Sequence, residues 1–126
     1  MSEVRKFLEA TVVVKEEDFK TYHYVMQVLR PKVVCNDGFS ISIQASETHY
    51  CEPRQSKISN YKSVELGFPS AEEELISDYA EDDDLTNTVY GWVPVEIVDQ
   101  LLEKHGGIDY LATLKNFSEI FERYIA

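Results

Sequence analysis

Hydrophobic and polar positions alternate without a break from Ser40 to Ala45. That period is a strand's, so Ile41, Ile43 and Ala45 share one face while Ser40, Ser42 and Gln44 share the other. Val33-Val34-Cys35 is also extended in character, and Asn36-Asp37-Gly38 between the two runs is a hairpin signal. Glycine after Asn or Asp accepts the positive φ that tight primed turns require. Other strand-like runs lie at Glu9–Lys15, Tyr22–Leu29, Ser63–Phe68 and Thr88–Val93, with a charged turn at Glu16–Lys20. Tyr22–Leu29 carries large apolar groups on both faces, as a central strand covered on both sides would. Arg30-Pro31 ends it, because proline lacks the N–H of a ladder. In the later runs Val64, Leu66 and Phe68 form a core face, and Tyr90 and Trp92 point opposite to Val89, Gly91 and Val93.

The period changes to that of a helix after Pro94, which is placed at the first helical position, where its missing N–H costs nothing. Val95–His105 puts Ile97, Val98, Leu101 and Leu102 on one stripe, and Gly106-Gly107 stops it. Asp109 caps a second helix running to about Ile125, with Leu111, Leu114, Phe117, Phe121 and Tyr124 or Ile125 facing inward. The pattern predicts an α+β fold, an antiparallel sheet of about five strands followed by two C-terminal helices packed on one face. At 126 residues the chain is expected to form a single domain, 1–126. The C-terminal helix has enough apolar surface to pair with a second copy in a homo-oligomer or to lie on its own sheet.

Charge changes this picture more than composition does. The net charge is −11, and 44% of residues are hydrophobic, which suits a globular protein. From Ser63 to Glu103 there is no Lys or Arg against twelve acidic residues, while the rest of the chain is almost neutral. Such a segment repels nucleic acid and membrane surfaces and steers a basic protein surface towards itself. Its plain alternative is a solvated loop that aids solubility. Glu72, Glu73, Glu74, Asp82, Asp83 and Asp84 form the candidate partner-binding set, and Leu75, Ile76, Tyr79 and Leu85 are able to pin the segment to the body. No apolar run approaches membrane-spanning length, and the charged N-terminus lacks a signal-peptide core, so the expected location is cytoplasmic.

The candidate chemistry gathers around the hairpin. Ser46–Arg54 leaves the alternating strand rich in hydrogen-bonding groups, and a face of small hydroxyls and an amide flanked by His49 and Arg54 suits a polar ligand or a solvated edge. Arginine is shaped for bidentate contact with phosphate, and Arg30 and Lys32 lie close by in sequence. With Tyr50, Tyr90 and Trp92 able to stack, the ligand-binding set is Ser42, Gln44, His49, Tyr50, Arg54 and Tyr90, for a nucleotide-like molecule. The competing reading pairs the arginines with acids and sends the aromatics, Trp92 above all, into the core.

Cys35, His49 and Cys51 lack the two closely spaced ligand pairs of a zinc site, so no metal or other cofactor is expected. Asp82-x-Asp84-x-Thr86 starts like a calcium loop but has Asn87 where the turn glycine belongs. His49 with Cys51, or Cys35 with His105, is the only material for a nucleophile and base, and no nucleophile elbow, phosphate loop or zinc-protease motif accompanies them. A binding protein is therefore preferred to an enzyme, with a small His/Cys-dependent enzyme, with or without zinc, as the alternative.

The strings LRPKVVCNDGFSISIQAS, THYCEPR, VELGFPS, TNTVYGWVPVEIV and EKHGGI, spread over about Val28 to Ile108, resemble a family of small accessory proteins encoded by tailed bacteriophages. The resemblance implies a phage setting and a protein that counters host immunity inside the host cell, by blocking a defence protein or by trapping its signalling nucleotide. A similarity to the nucleotide sponges that oppose Thoeris defence would imply the second route. No functional residue carries over from either resemblance.

Overall fold

Val4, Phe7 and Leu8 recur at the spacing of one helix face. In a computed structural model Glu3–Ala10 forms helix α1, with all three buried. The structure describes residues 2–10, 13–17, 25–55 and 60–116, with the strands at 13–17 and 25–29 described by their backbone. The helix takes Glu9 and Ala10 from the strand expected over Glu9–Lys15, which begins at Val13 instead. The Ser2 hydroxyl accepts the Arg5 amide at 3.2 Å, and Asp99, from a later helix, accepts the Val4 amide at 2.9 Å. These side chains take up N–H groups that a helix start leaves open.

Strand β1, Val13–Glu17, pairs antiparallel with β2, Val25–Leu29, as a two-stranded ribbon. Glu16 and Glu17 thus belong to a strand, and the rest of the expected charged turn lies outside the described residues. The second strand is not central to the main sheet, because its ladder stops at Arg30. There the Gln44 side chain takes the place of a neighbouring strand, accepting the Arg30 amide at 2.9 Å and donating to the Arg30 carbonyl at 2.8 Å.

The main sheet is four antiparallel strands in sequence order: β3 (Val33–Val34), β4 (Ser40–Gln44), β5 (Ser63–Gly67) and β6 (Val89–Pro94). Val33 faces Ile41 across the first hairpin, as expected. Its connection is a three-residue turn rather than a two-residue primed one. Gly38 alone takes positive φ, +94°, while its N–H bonds the Cys35 carbonyl at 2.9 Å. Ile41, Ile43 and Ala45 are fully buried with Val64, Leu66, Tyr90 and Val93, and Val4, Phe7 and Leu8 of α1 join the same cluster.

Helix α2, Val95–Lys104, adds Val95, Val98, Leu101 and Leu102 to this core. Pro94 is its N-cap, one position earlier than expected, and Gly106 and Gly107 end it with φ of +85° each. The hairpin turn docks on this end. The Asn36 side chain donates to the Gly106 carbonyl at 2.7 Å, and its amide donates to the Gly107 carbonyl at 2.9 Å. The fold is α+β, with its helices at both ends of the chain.

A third helix, α3, covers residues 110–116 of the described chain and begins at Asp109, whose carboxylate accepts the Ala112 amide at 3.1 Å. Its expected inward residues are not inward: Leu111 is 78% exposed and Leu114 half exposed. Phe117 and the later positions of that stripe lie outside the described residues. A polar face docks instead. The buried Thr113 hydroxyl accepts the Val34 amide at 3.1 Å, and Asn116 donates to the Lys32 carbonyl at 2.8 Å. An open strand edge needs hydrogen-bond partners, and over the described residues of α3 that need is met ahead of the burial of two leucines.

Arg30 ties these parts together. Its guanidinium is 2% exposed and donates to the Leu8 carbonyl from two nitrogens, at 3.1 and 3.3 Å, and to the Ala45 carbonyl at 2.6 Å. It therefore closes the last turn of α1 and the end of β4 at once, and is not turned towards a ligand. Arg30→Met should lower the unfolding free energy by about 2–4 kcal/mol, because the buried Leu8 and Ala45 carbonyls lose the guanidinium donors and Ala45 keeps only the long bond from the Tyr61 hydroxyl, 3.5 Å. A urea titration reads this, and Arg30→Lys should restore less than half, since one ammonium cannot replace the planar fork.

Candidate functional site

The β5–β6 ladder contains an irregularity that decides what faces solvent. Val64 pairs with Val93 and Leu66 with Tyr90, so Glu65 alone opposes the two residues Gly91 and Trp92. An extra residue in one strand bulges it and breaks the alternation of faces. Tyr90 and Val93 are both buried, and Trp92 is turned outward, 47% exposed, with φ at +51°. Side chains rarely adopt that backbone region. A hydrogen bond from the Trp92 amide to the Tyr50 carbonyl, 3.0 Å, holds it there.

The Tyr50 ring, 40% exposed, stacks on Trp92 with centroids 5.0 Å apart and 27° between planes. The Arg54 guanidinium lies over Tyr50, 5.9 Å from its centroid. Beneath them is Gly91, where a Cβ would come within 3.2 Å of the Glu81 carboxylate and 3.3 Å of the Tyr50 Cβ. A side chain here would press on both, since Glu81 and Tyr50 close over the backbone. Glu65, on the same side of the sheet, accepts the Tyr50 amide at 3.4 Å. Burial raises the Glu65 pKa, the Tyr50 amide and Arg54 act against this, Glu81 adds to it, and the net shift is upward.

The acidic segment reaches this cluster along the free edge of β6. Ala80 bridges to Tyr90, and the Glu81 amide donates to the Val89 carbonyl at 3.0 Å. Glu72, Glu74, Asp82, Asp83 and Asp84 are exposed, and Ile76 is buried with Leu75 and Tyr79 packed beside it. Glu73 departs from its assignment to the partner surface. It is 3% exposed and accepts from the Leu75 amide at 3.1 Å, from Lys104 at 3.0 Å and from His105 Nε2 at 2.8 Å. The His105 ring stacks on Phe39, centroids 4.0 Å apart, and its Nδ1 meets Asp37 at 2.6 Å. Burial alone would raise the Glu73 pKa, but the Leu75 amide, His105 and Lys104 prevail and lower it. The Asp37 value is lowered by the Phe39 amide and by His105.

The expected ligand set is divided by the fold. Tyr50 and Arg54 meet in the exposed cluster. Tyr90 is in the core, its hydroxyl donating to the Leu85 carbonyl. Gln44 is occupied with the Arg30 backbone and also donates to the Ser42 hydroxyl at 3.1 Å. The His49 ring meets the Ser46 hydroxyl at 2.5 Å, and burial, helped by Arg30, lowers its pKa to about 4. The Cys51 thiol points at the Ser46 and Pro53 carbonyls, with its pKa raised by burial, and burial pushes Cys35 up to about 12. Among the described residues no three His, Cys, Asp or Glu side chains gather as a metal would need, and no helix is long and apolar enough to cross a membrane.

Glu65 and Glu81 are the members of the cluster that the pattern did not single out, and Trp92, named as able to stack, was left out of the ligand-binding set. A glycine inside a strand run, here Gly91, was the available sign of a bulge. Phe68 is a second case: backbone φ of +51° takes it off the core face and leaves it 45% exposed. No family model, curated protein or solved structure matches the chain.

Two outcomes follow from this geometry. Trp92→Gly should be more stable than Trp92→Val by about 1–2 kcal/mol, since both lose the ring but only valine keeps the left-handed strain; thermal unfolding of the pair reads it. Because the folded pKa values of Glu73 and Asp37 are depressed, their stabilisation is complete above the ordinary carboxylate range and is lost as pH falls through the folded values. Unfolding followed from pH 7 to pH 2 should therefore show a decline setting in below about 4.5, and Glu73→Gln should reduce that decline together with the stability at pH 7.

Proposed function

We propose that this chain is a non-catalytic binding protein that docks on a basic surface of a partner protein through the acidic segment and the Tyr50–Trp92 cluster beside it. The phage resemblance supplies the setting, in which the partner is a host defence protein whose nucleic-acid-binding surface is blocked. The observation that carries this reading is that Glu81 and Tyr50 converge over Gly91, the residue before Trp92. Their convergence joins an exposed aromatic pair to a run of carboxylates. Aromatic anchors ringed by charge are the composition of a protein interface, and like-charged phosphates are disfavoured next to Glu65 and Glu81. The sequestered-nucleotide alternative has less support, because Tyr90 and Gln44 serve the fold and only Arg54 of the neighbouring arginines faces outward. The enzyme alternative has less still, with both thiols held protonated by burial and His49 facing a serine.

The test uses poly-L-lysine as the basic surface, with binding measured at two salt concentrations. Asp82→Asn, Asp83→Asn and Asp84→Asn together should weaken it by roughly tenfold at low salt, a few tenths to one kcal/mol per exposed charge, and by less at high salt. A thermal shift with nucleotides that is lost in Arg54→Ala and kept in the triple variant would favour sequestration instead. Turnover of a substrate that disappears in His49→Ala would overturn both.

A further inference from the structure

The aromatic cluster already holds a cation, and the cation is the chain's own. Arg54 lies over Tyr50, which also stacks with Trp92, while Glu65 meets the Tyr50 backbone amide and Glu81 and Tyr50 converge over Gly91. Among the described residues Arg54 makes no ion pair within 4 Å, its charge is felt at Glu65, and its guanidinium lies over the Tyr50 ring. From this geometry, and resting on the docking reading above, we propose that Tyr50, Trp92, Glu65 and Glu81 form a receptor for one arginine side chain of the partner, and that Arg54 is its internal occupant, displaced on docking.

Three physical features support the assignment. A guanidinium is planar and weakly hydrated, so it stacks on an aromatic face with a smaller desolvation cost than an ammonium. Two carboxylates close to the rings, Glu65 at the Tyr50 amide and Glu81 over Gly91, complement the forked N–H donors of the same group. The Trp92 backbone is held in a strained conformation that keeps the second ring outward, and such strain is retained where the surroundings over-determine it and the position has a use. The incoming side chain would exchange one guanidinium for another, leaving the rings and carboxylates in place. Arg54 then sets the selectivity and strength of the site by competition, a role opposite in sign to that of a phosphate clamp.

The experiment is titration of the full chain with octa-arginine and with octa-lysine, read by the fluorescence of Trp92, the single tryptophan. The two peptides carry equal charge, so attraction to the acidic segment is common to both and their affinity ratio isolates the receptor. Octa-arginine should bind about threefold or more tighter than octa-lysine. Tyr50→Leu should bring the ratio to one with octa-lysine affinity unchanged. Arg54→Lys, which preserves net charge, should widen the ratio, and Arg54→Ala should tighten octa-arginine binding. Equal affinities in the parent chain, or a ratio narrowed by Arg54→Lys, would overturn the receptor while leaving the acidic docking surface standing. Failure of both peptides to bind would overturn the docking reading itself.

Discussion

A guanidinium buried among carbonyls is the constraint on which the arrangement of this chain depends. Arg30 stands where the two-stranded ribbon ends and the main sheet begins, and its fork reaches both the end of α1 and the end of β4. A buried charge is tolerated only when its donors are matched, and here the matching acceptors are carbonyls at the ends of their elements, the Ala45 one shared with the Tyr61 hydroxyl at 3.5 Å. The same residue's backbone is enclosed by Gln44. Helix α1, the ribbon and the sheet are thus connected at one side chain and its immediate surroundings.

The same requirement recurs wherever an element stops. Asp99 and Ser2 receive the first amides of α1, the Glu3 carboxylate accepts the Ile108 amide at 2.6 Å, and Asn36 donates to the loop after α2. Thr113 and Asn116 serve β3 and the residue before it. An unpaired backbone group away from water costs as much as a lost hydrogen bond, so polar side chains near element ends are drawn to that task. Several residues with the look of ligand contacts are engaged in this way, Gln44 most completely.

What remains for recognition is what the bulge sets apart. One extra residue in β6 sends Tyr90 and Val93 inward together and leaves Trp92 facing solvent beside Tyr50. The acidic segment is brought to the same place by pairing with the other edge of β6, and it is fixed behind by Glu73 with Lys104 and His105. Anchoring one carboxylate of the run inward ties the backbone beside it while its neighbours Glu72 and Glu74 stay outward. A pre-ordered acidic surface loses less entropy on binding than a free loop would.

Residue order alone determined the hairpin at Gly38, the inward set Ile41, Ile43 and Ala45, helix α2 with its glycine stop, the Asp109 cap and the α+β class, because each is a local matter of period or permitted φ. The acidic character of 72–84 was equally local, and of the residues expected to pin it Leu75, Ile76 and Tyr79 do so. Helix α1 was legible too, in Ser2, Val4, Phe7 and Leu8, but a valine run just after it carried the stronger strand signal. Only the tertiary structure decided that Trp92 faces out and Tyr90 in, since a bulge depends on the register of a partner strand. It decided likewise that Glu73 is buried, that Gln44 and Arg30 serve the backbone, and that α3 turns Thr113 rather than its leucines inward. In each of these the deciding term is a hydrogen bond between residues far apart in the chain, and neither period nor composition records such a partner.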